Sequence, residues 1–341
     1  MIISVVCDMQ FSDFNPDVAH QYNGNFAGLP HIADEARIVY LPIPWDATTS
    51  GMKGTANGPN NILRHSLEID LFDHRTPEAW RLGHQFVEIE ESVSLLNKET
   101  RDIVQAYRKG NEDLLQIDQA CERIHEEIYE KIDQWQADRR LIVLVGGEHS
   151  ISYGSVRSHL ERFPKMHVLQ LDAHMDLRKA YEGIKCSHAS IFYNVLNDLP
   201  LTGLYQLGVR DFCREEWALA ERDDRVHFML AEDIYSQKAR GISFHKQLGQ
   251  FLNSISDEIY LSIDIDVLEP HYCPNTGTPV PGGLSFWDIL QVVDSIHELG
   301  KKIIGLDLVE TGGTGYTDGF TAAKLLYLVA SRVYRANWTT S

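Results

Sequence analysis

Positive charge is in short supply. Against 49 Asp and Glu residues stand 31 Lys and Arg, a formal net charge of −18. Nucleic acid is thereby excluded as a partner, because its phosphates need a basic footprint. The general field favours a small cationic ligand instead, although an acidic surface also serves solubility alone. Cysteine is scarce too. Cys7, Cys121, Cys186, Cys213 and Cys273 are scattered, odd in number and without Cys-x-x-Cys spacing, so neither a disulfide framework nor a structural zinc site is expected. No apolar run is long enough to span a bilayer. The stretch Met1 to Asp8 lacks the basic start and long apolar core of a signal peptide, and a cytoplasmic, membrane-free protein is the expectation. No repeat, low-complexity tract or linker divides the 341 residues. One domain is expected over 36–341, behind a lead-in of residues 1–35 whose Phe14-Asn-Pro and Asn23-Gly-Asn25 are turn chemistry.

What is present is an alternation. Apolar runs of strand length fall at 37–41, 82–89, 141–145, 166–171, 204–209, 226–230, 258–263 and 302–309. Helical patterns lie near 60–67, 151–162, 187–197, 214–221, 243–254, 285–298 and 318–334. Residues 97–138 repeat Leu114, Leu115, Ile117, Ile124, Ile128 and Ile132 at helical spacing, as one long helix or two broken near Gly110. A Gly- and Thr-rich loop follows the first strand, longer than a plain connection needs, and ends at the helix start Gly58-Pro59. The pattern predicts an α/β fold: a single domain with a mostly parallel, doubly wound sheet and helices on both faces.

The chemistry sits at three strand ends. Gly146-Gly-Glu-His149 closes the run at 141–145, Asp172-Ala-His174-Met-Asp176 follows 166–171, and Ser262-Ile-Asp264-Ile-Asp266 closes 258–263. In open α/β sheets ligands bind at that end. If 172–176 stays extended, its three ligand-type side chains share one side. Singly, each residue has an ordinary explanation: a satisfied histidine, a helix cap, a turn aspartate. Together, four aspartates and two histidines form an anionic cluster too costly to bury without cations. Six ligands exceed the needs of one catalytic ion, and carboxylates with some imidazole favour Mn2+, with Fe2+, Co2+, Ni2+ or zinc as alternatives. Two ions roughly 3.5–4 Å apart generate a hydroxide nucleophile at neutral pH. The predicted reaction class is metal-assisted hydrolysis.

These stretches have company: Thr48-Thr-Ser50 with Gly54 and Gly58-Pro59, Asn275-Thr-Gly-Thr-Pro279, Gly282-Gly283 and Asp307-Leu-Val-Glu310. In order and combination they resemble the signatures of the ureohydrolases, the arginase/agmatinase family, over about residues 37–335. The resemblance implies an arginase-like fold and a binuclear Mn2+ hydrolase that cleaves a guanidino C–N bond, releasing urea and an amine. It implies that His149, Asp172, Asp176 and Asp264 bind one ion, and that Asp172, His174, Asp264 and Asp266 bind the other, with Asp172 and Asp264 bridging. Asp176 would also carry a proton to the leaving amine, Glu310 would accept hydrogen bonds from the guanidinium, His188 would relay protons beside the substrate, and Thr278 would lie on the substrate side. A homo-oligomer, trimer or hexamer, is implied as well.

The segment 177–188 looks like the agmatinase type rather than the Asn- and Ser-rich arginase loop that grips an α-carboxylate. Agmatine, cleaved to putrescine and urea, is therefore the expected substrate. If Arg178 and Lys179 face the site, a guanidino acid such as 4-guanidinobutyrate becomes the alternative. Where the family has Val-x-Pro and a later Asp, this chain has Thr311-Gly-Gly-Thr-Gly-Tyr-Thr-Asp318. Flexible glycines beside Glu310 keep free guanidine, another small guanidine and arginine among the alternatives. A non-catalytic metal-binding relative is the second class of reading, against which the full ligand set, His188 and Glu310 speak.

Overall fold

The computed structural model describes residues 11, 14–110 and 114–339. Its strands are β1 (Ile38–Ile43), β2 (His84–Phe86), β3 (Leu141–Gly146), β4 (His167–Leu171), β5 (Leu204–Val209), β6 (Val226–Leu230), β7 (Glu258–Asp264) and β8 (Lys302–Val309). They form one sheet in the order β2-β1-β3-β8-β7-β4-β5-β6, and every pairing is parallel. Strands covered on both faces are apolar throughout, and β3, Leu-Ile-Val-Leu-Val-Gly, is buried at every position. At the edge, β6 buries only Val226. The expected α/β architecture is thus observed.

The helices are α1 (Gly58–His65), α2 (Glu91–Arg108), α3 (Leu114–Trp135), α4 (Ser152–Arg162), α5 (Ile191–Asp198), α6 (Arg214–Arg222), α7 (Ala231–Ala239), α8 (Phe244–Phe251), α9 (Phe286–Glu298) and α10 (Tyr316–Trp338). Helix α1 opens Gly58-Pro59, where proline's missing N–H costs nothing. The 97–138 stretch is two helices, separated at Gly110, whose φ of +81° ends α2. Helix α3 packs on α4 and buries Ile117, Cys121, Ile124, Ile128 and Ile132, one helical stripe. Helix α7 was not legible, because it buries only Ala231 and Ile234 and so carries almost no periodic signal. In the lead-in, Asn25, Phe26, Ala27 and Leu29 are buried, and Asn25 Oδ1 accepts the N–H of Phe86. No helix among the described residues is long and apolar enough to cross a membrane.

The expectation about cysteine needs correction. Cys121 of α3 is bonded to Cys186 across 65 residues of sequence, with Cα atoms 6.3 Å apart. A pair so distant is joined by the packing of α3 against the loop before α5, which spacing does not reveal. Digestion of the unreduced, alkylated protein is expected to yield a peptide pair linked through Cys121 and Cys186 that separates on reduction. Cys121 and Cys186 both found alkylated without prior reduction would show that no bridge is present.

The sheet order has one consequence for function. The three ligand-bearing strand ends, of β3, β4 and β7, belong to four adjacent central strands, β3-β8-β7-β4, and the fourth, β8, delivers Glu310. The chain leaves β4 towards β5 and β6, then returns to build β7 on its other side. That reversal opens a crevice at the C-terminal edge of a parallel sheet.

Candidate active site

Each functional side chain is delivered by a strand end. The exit of β3 passes so close to β1 that a Cβ on Gly147 would stand 1.9 Å from the Trp45 carbonyl oxygen, and only glycine fits. A 3-10 turn, His149–Ile151, then aims the buried His149 inward. Its Nε2 lies 2.8 Å from Ser262 Oγ, and that hydroxyl donates to Asp307 Oδ1 at 2.8 Å. With its hydrogen committed to Asp307, Ser262 accepts Nε2–H, so Nδ1 is the nitrogen turned to the carboxylates. Nδ1 faces Asp176 Oδ2 at 3.0 Å, Asp172 Oδ2 at 3.1 Å and Asp264 Oδ2 at 3.4 Å, yet takes part in no hydrogen bond. An imidazole nitrogen and three carboxylate oxygens converging on one point are a set that could hold a divalent cation.

A second group lies alongside. His174 Nδ1 is 3.1 Å from Asp266 Oδ2 and 3.4 Å from Asp172 Oδ1. Asp172 thus turns one oxygen to each histidine, the disposition of a bridging carboxylate. Asp264 gives Oδ2 to the His149 side, while its Oδ1 accepts the N–H of Asp266 at 2.9 Å. The ligand atoms of His149, Asp172 and Asp176, and those of Asp172, His174 and Asp266, each lie within 4.8 Å of one another. The structure brings all six predicted residues together, but not by simple alternation along an extended chain. Asp176 adopts a left-handed φ of +54°, and its carbonyl is held by the N–H groups of Phe192 and Tyr193. Strain of this kind persists where surrounding structure enforces it, commonly at functional sites.

The protonation pattern reflects crowding. Burial and the Asp172 charge push the Asp176 carboxyl up to about 7. Burial, Asp266 and Asp172 raise Asp264 well above the carboxylate range. Asp172 is held low, against its burial, by His149 and His174. Both imidazoles are raised by the carboxylates although burial opposes it. Protons balance the cluster, and a divalent cation bound there would displace them. Mn2+ affinity is therefore expected to rise steeply between about pH 6 and 8, with net proton release on binding. Calorimetry in two buffers of different ionisation heat measures both; an affinity flat across that range with no proton release would contradict this donor set.

Glu310 follows β8 with a φ of +60°. Its Oε1 accepts the His149 N–H at 3.1 Å and lies 3.1 Å from His188 Nδ1. Its Oε2 is buried with no partner. Gly277 leaves space in front of it, since a Cβ there would come within 3.0 Å of Oε2. An unpaired buried carboxylate oxygen is costly, and a cationic donor would satisfy it. Burial lowers the His188 imidazole's affinity for a proton, but Glu310, Glu148 and Asp176 outweigh it and bring the pKa up to about 9. Ser50, His174, Asp176, Arg178, Tyr181, His188, Asp211 and Thr278 line a cleft over the cluster. Thr278 Oγ1 donates to Asp266 Oδ2 at 3.3 Å.

Several contributors were missed from sequence. Ser262 and Asp307, which orient His149, were visible as members of motifs but carried no role; the period-two spacing of Ser262 and Asp264 on one strand face is the signal that relates them. Arg178 does reach the cleft, whereas Lys179 is not among its lining residues. Arg178 stacks 5.0 Å over Tyr181 and lies 3.6 Å from the buried Glu216. The glycines after Glu310 serve close packing rather than flexibility. A Cβ on Gly312 would meet Asp318 Oδ1 at 2.5 Å, and one on Gly313 would meet the Gly54 carbonyl at 2.0 Å. Asp318 in turn accepts Asn275 N–H at 2.8 Å, pinning the 275–278 loop.

The parallel eight-stranded sheet with its Asp- and His-lined crevice is the frame of one known class, and residues 36–331 match the family model described as the Arginase family. The chain belongs to that family. Among curated proteins it is 30% identical over 308 residues to an N(1)-aminopropylagmatine ureohydrolase of Thermus thermophilus, covering 89% of this chain and 93% of that one. It is 32% identical over 297 residues to an agmatinase of Pyrococcus horikoshii, covering 86% and 91%. The agmatine ureohydrolase of Thermoplasma volcanium shares the fold, with a TM-score of 0.72, 23% identity, and coverage of 94% and 98%. The protein is a hydrolase of this family, agmatinase-like in sequence.

Proposed function

We propose that the protein is a binuclear metal-dependent ureohydrolase that releases urea from a guanidino compound with a cationic tail, agmatine first. The observation that carries the reading is the buried, unpartnered Oε2 of Glu310 beside two groups of carboxylate and imidazole donors. His149, Asp172, Asp176 and Asp264 would hold one ion and Asp172, His174, Asp264 and Asp266 the other, Mn2+ by preference, with Ni2+, Co2+ or Fe2+ as substitutes. Bound there, the ions would supply a water-derived nucleophile at neutral pH. Glu310 accepts guanidinium N–H groups and so sets the carbon above the cluster. Asp176, beside the nucleophile, would take up its proton and pass it to the leaving amine. His188, whose Nδ1 lies 3.1 Å from Glu310 Oε1, carries a second. The 47–54, 275–278 and 311–315 loops interlock beside Glu310, Met52 N–H donating to the Gly277 carbonyl and Gly313 packing against the Gly54 carbonyl.

The charge at the cleft mouth supports a cationic tail. Arg178 is offset by Glu216, which also takes the N–H groups of Leu177 and Cys213. Asp211 lines the cleft with no side-chain partner among the described residues. An aminopropyl extension, as in the substrate named for the Thermus relative, would add a further ammonium for such a mouth. A guanidino acid is the second reading, favoured only by Arg178. The same proposal includes a single catalytic domain over 36–341, a homo-oligomer and a cytoplasmic setting.

Urea release by the Mn2+-loaded protein should be followed with agmatine, aminopropylagmatine, arginine, 4-guanidinobutyrate, 3-guanidinopropionate and guanidine. Agmatine or its aminopropyl derivative is expected to exceed the acids by more than about a hundredfold in kcat/KM, roughly 2.7 kcal/mol of discrimination. A winning guanidino acid would shift attention to Arg178. No turnover with Mn2+, Ni2+, Co2+ or Fe2+ would leave a binding protein.

A further inference from the structure

His188 is gripped at both ring nitrogens. Nδ1 faces a carboxylate, Glu310 Oε1 at 3.1 Å, which only accepts, so Nδ1 carries a hydrogen. Nε2 meets Ser50 twice: the hydroxyl at 2.8 Å and the backbone N–H at 3.3 Å. Ser50 also lines the cleft, beside Asp176 and Thr278.

A histidine that passes a proton alternates between imidazole and imidazolium, and most partners suit one form. The backbone N–H of Ser50 is a fixed donor and suits the bare Nε2. The carboxylates that face the ring, Glu310 at the end of β8, Glu148 at the exit of β3 and Asp176 after β4, suit the imidazolium. The Ser50 hydroxyl alone suits both, because by rotating it accepts from Nε2–H or donates to bare Nε2. Its position is enforced by the loop: Met52 N–H donates to the Gly277 carbonyl at 2.9 Å, Arg108 Nη2 to the Thr49 carbonyl at 3.1 Å, and Gly54 N–H to Asp46 Oδ2 at 2.9 Å. A Cβ on Gly51 would strike the Gly277 carbonyl at 2.5 Å, so the loop lies flush against the 275–278 segment.

We propose that Ser50 is a positioning residue for proton transfer, its hydroxyl holding the His188 ring aligned between Glu310 and the cleft through both protonation states. The proposal rests on the function proposed above, in which His188 exchanges a proton. No net bond change occurs at Ser50: it gives its hydrogen-bond donor to Nε2 when the ring is neutral and withdraws it when the ring is charged.

The test is a pH profile of agmatine hydrolysis by the Mn2+ enzyme with Ser50→Ala and Ser50→Thr. Ser50→Ala is expected to lower kcat about ten- to a hundredfold with KM within about twofold. Its alkaline limb should move to lower pH by about one unit, because the imidazolium loses its acceptor while the backbone donor stays. Ser50→Thr, which keeps the hydroxyl, should restore both. A kcat loss with an unshifted profile would reduce Ser50 to loop structure, and a change in KM alone would make it a substrate contact; either overturns the proposal. Imidazole 15N NMR of the metal-free protein, with His188 assigned by His188→Asn, reads the same coupling without turnover. A His188 pKa lowered by Ser50→Ala supports the proposal, and an unmoved one overturns it. If wild type hydrolyses no guanidino compound, the functional reading fails, and the NMR result still decides whether Ser50 governs the ring.

Discussion

Exchanging Asp172 for asparagine is expected to lower kcat by about a thousandfold or more, roughly 4 kcal/mol of barrier. The residue is buried and presents one oxygen to each side, Oδ2 to His149 at 3.1 Å and Oδ1 to His174 at 3.4 Å. Its pKa is held low in spite of burial, by the two imidazoles, so it stays ionised at neutral pH. Asparagine keeps the shape but removes the charge and places an NH2 group where one oxygen stood. That donor cannot bind a cation, and both groups share the loss. Stability supplies an independent readout. A ligand that binds only the folded state raises Tm by mass action, so added Mn2+ should raise the wild-type Tm and barely move that of the variant. A variant with activity within tenfold and an intact Mn2+ shift would sink the bridging role.

Glu310→Gln is expected to cost about a hundred- to a thousandfold in kcat/KM, roughly 3–4 kcal/mol, the scale for breaking a desolvated charge pair. The amide oxygen can still accept the His149 N–H that now reaches Oε1 at 3.1 Å, so the fold and metal content should be nearly unchanged. The second position changes most. The unpartnered Oε2 becomes an NH2 group, or faces one, and a guanidinium then meets a donor. Loss of the carboxylate also removes the largest attraction holding a proton on His188. Its pKa should fall, and the alkaline limb of the activity profile should move to lower pH. Kinetic constants within about threefold of wild type would mean that the guanidinium binds elsewhere.

The six donor residues were legible because strand periodicity and strand ends are local properties. An apolar run followed by alternating acids needs no knowledge of its neighbours, and a burial argument then calls for cations. Glu310 and His188 came instead from resemblance, since an acid and a histidine at isolated positions carry no pattern of their own. The local reading went astray at Asp176, where a left-handed residue, not an extended chain, brings the carboxylate round. It also missed α7, which lacks a buried stripe, and the Cys121–Cys186 pair.

The sequence by itself determined the strand–helix alternation, the α/β class, the residues offered as metal ligands and the acidic net charge. Only the tertiary structure decided that β3, β8, β7 and β4 are neighbours, so that His149 and Asp264, 115 residues apart, come within 3.4 Å of one another. It decided which nitrogen of His149 faces the carboxylates, through Ser262 and Asp307, and which oxygen of Glu310 is unpartnered. It turned the glycines after Glu310 from hinges into spacers. The physical reason is that periodicity records which face a residue occupies, whereas hydrogen-bond satisfaction and close approach depend on partners that loops of any length bring from elsewhere in the chain.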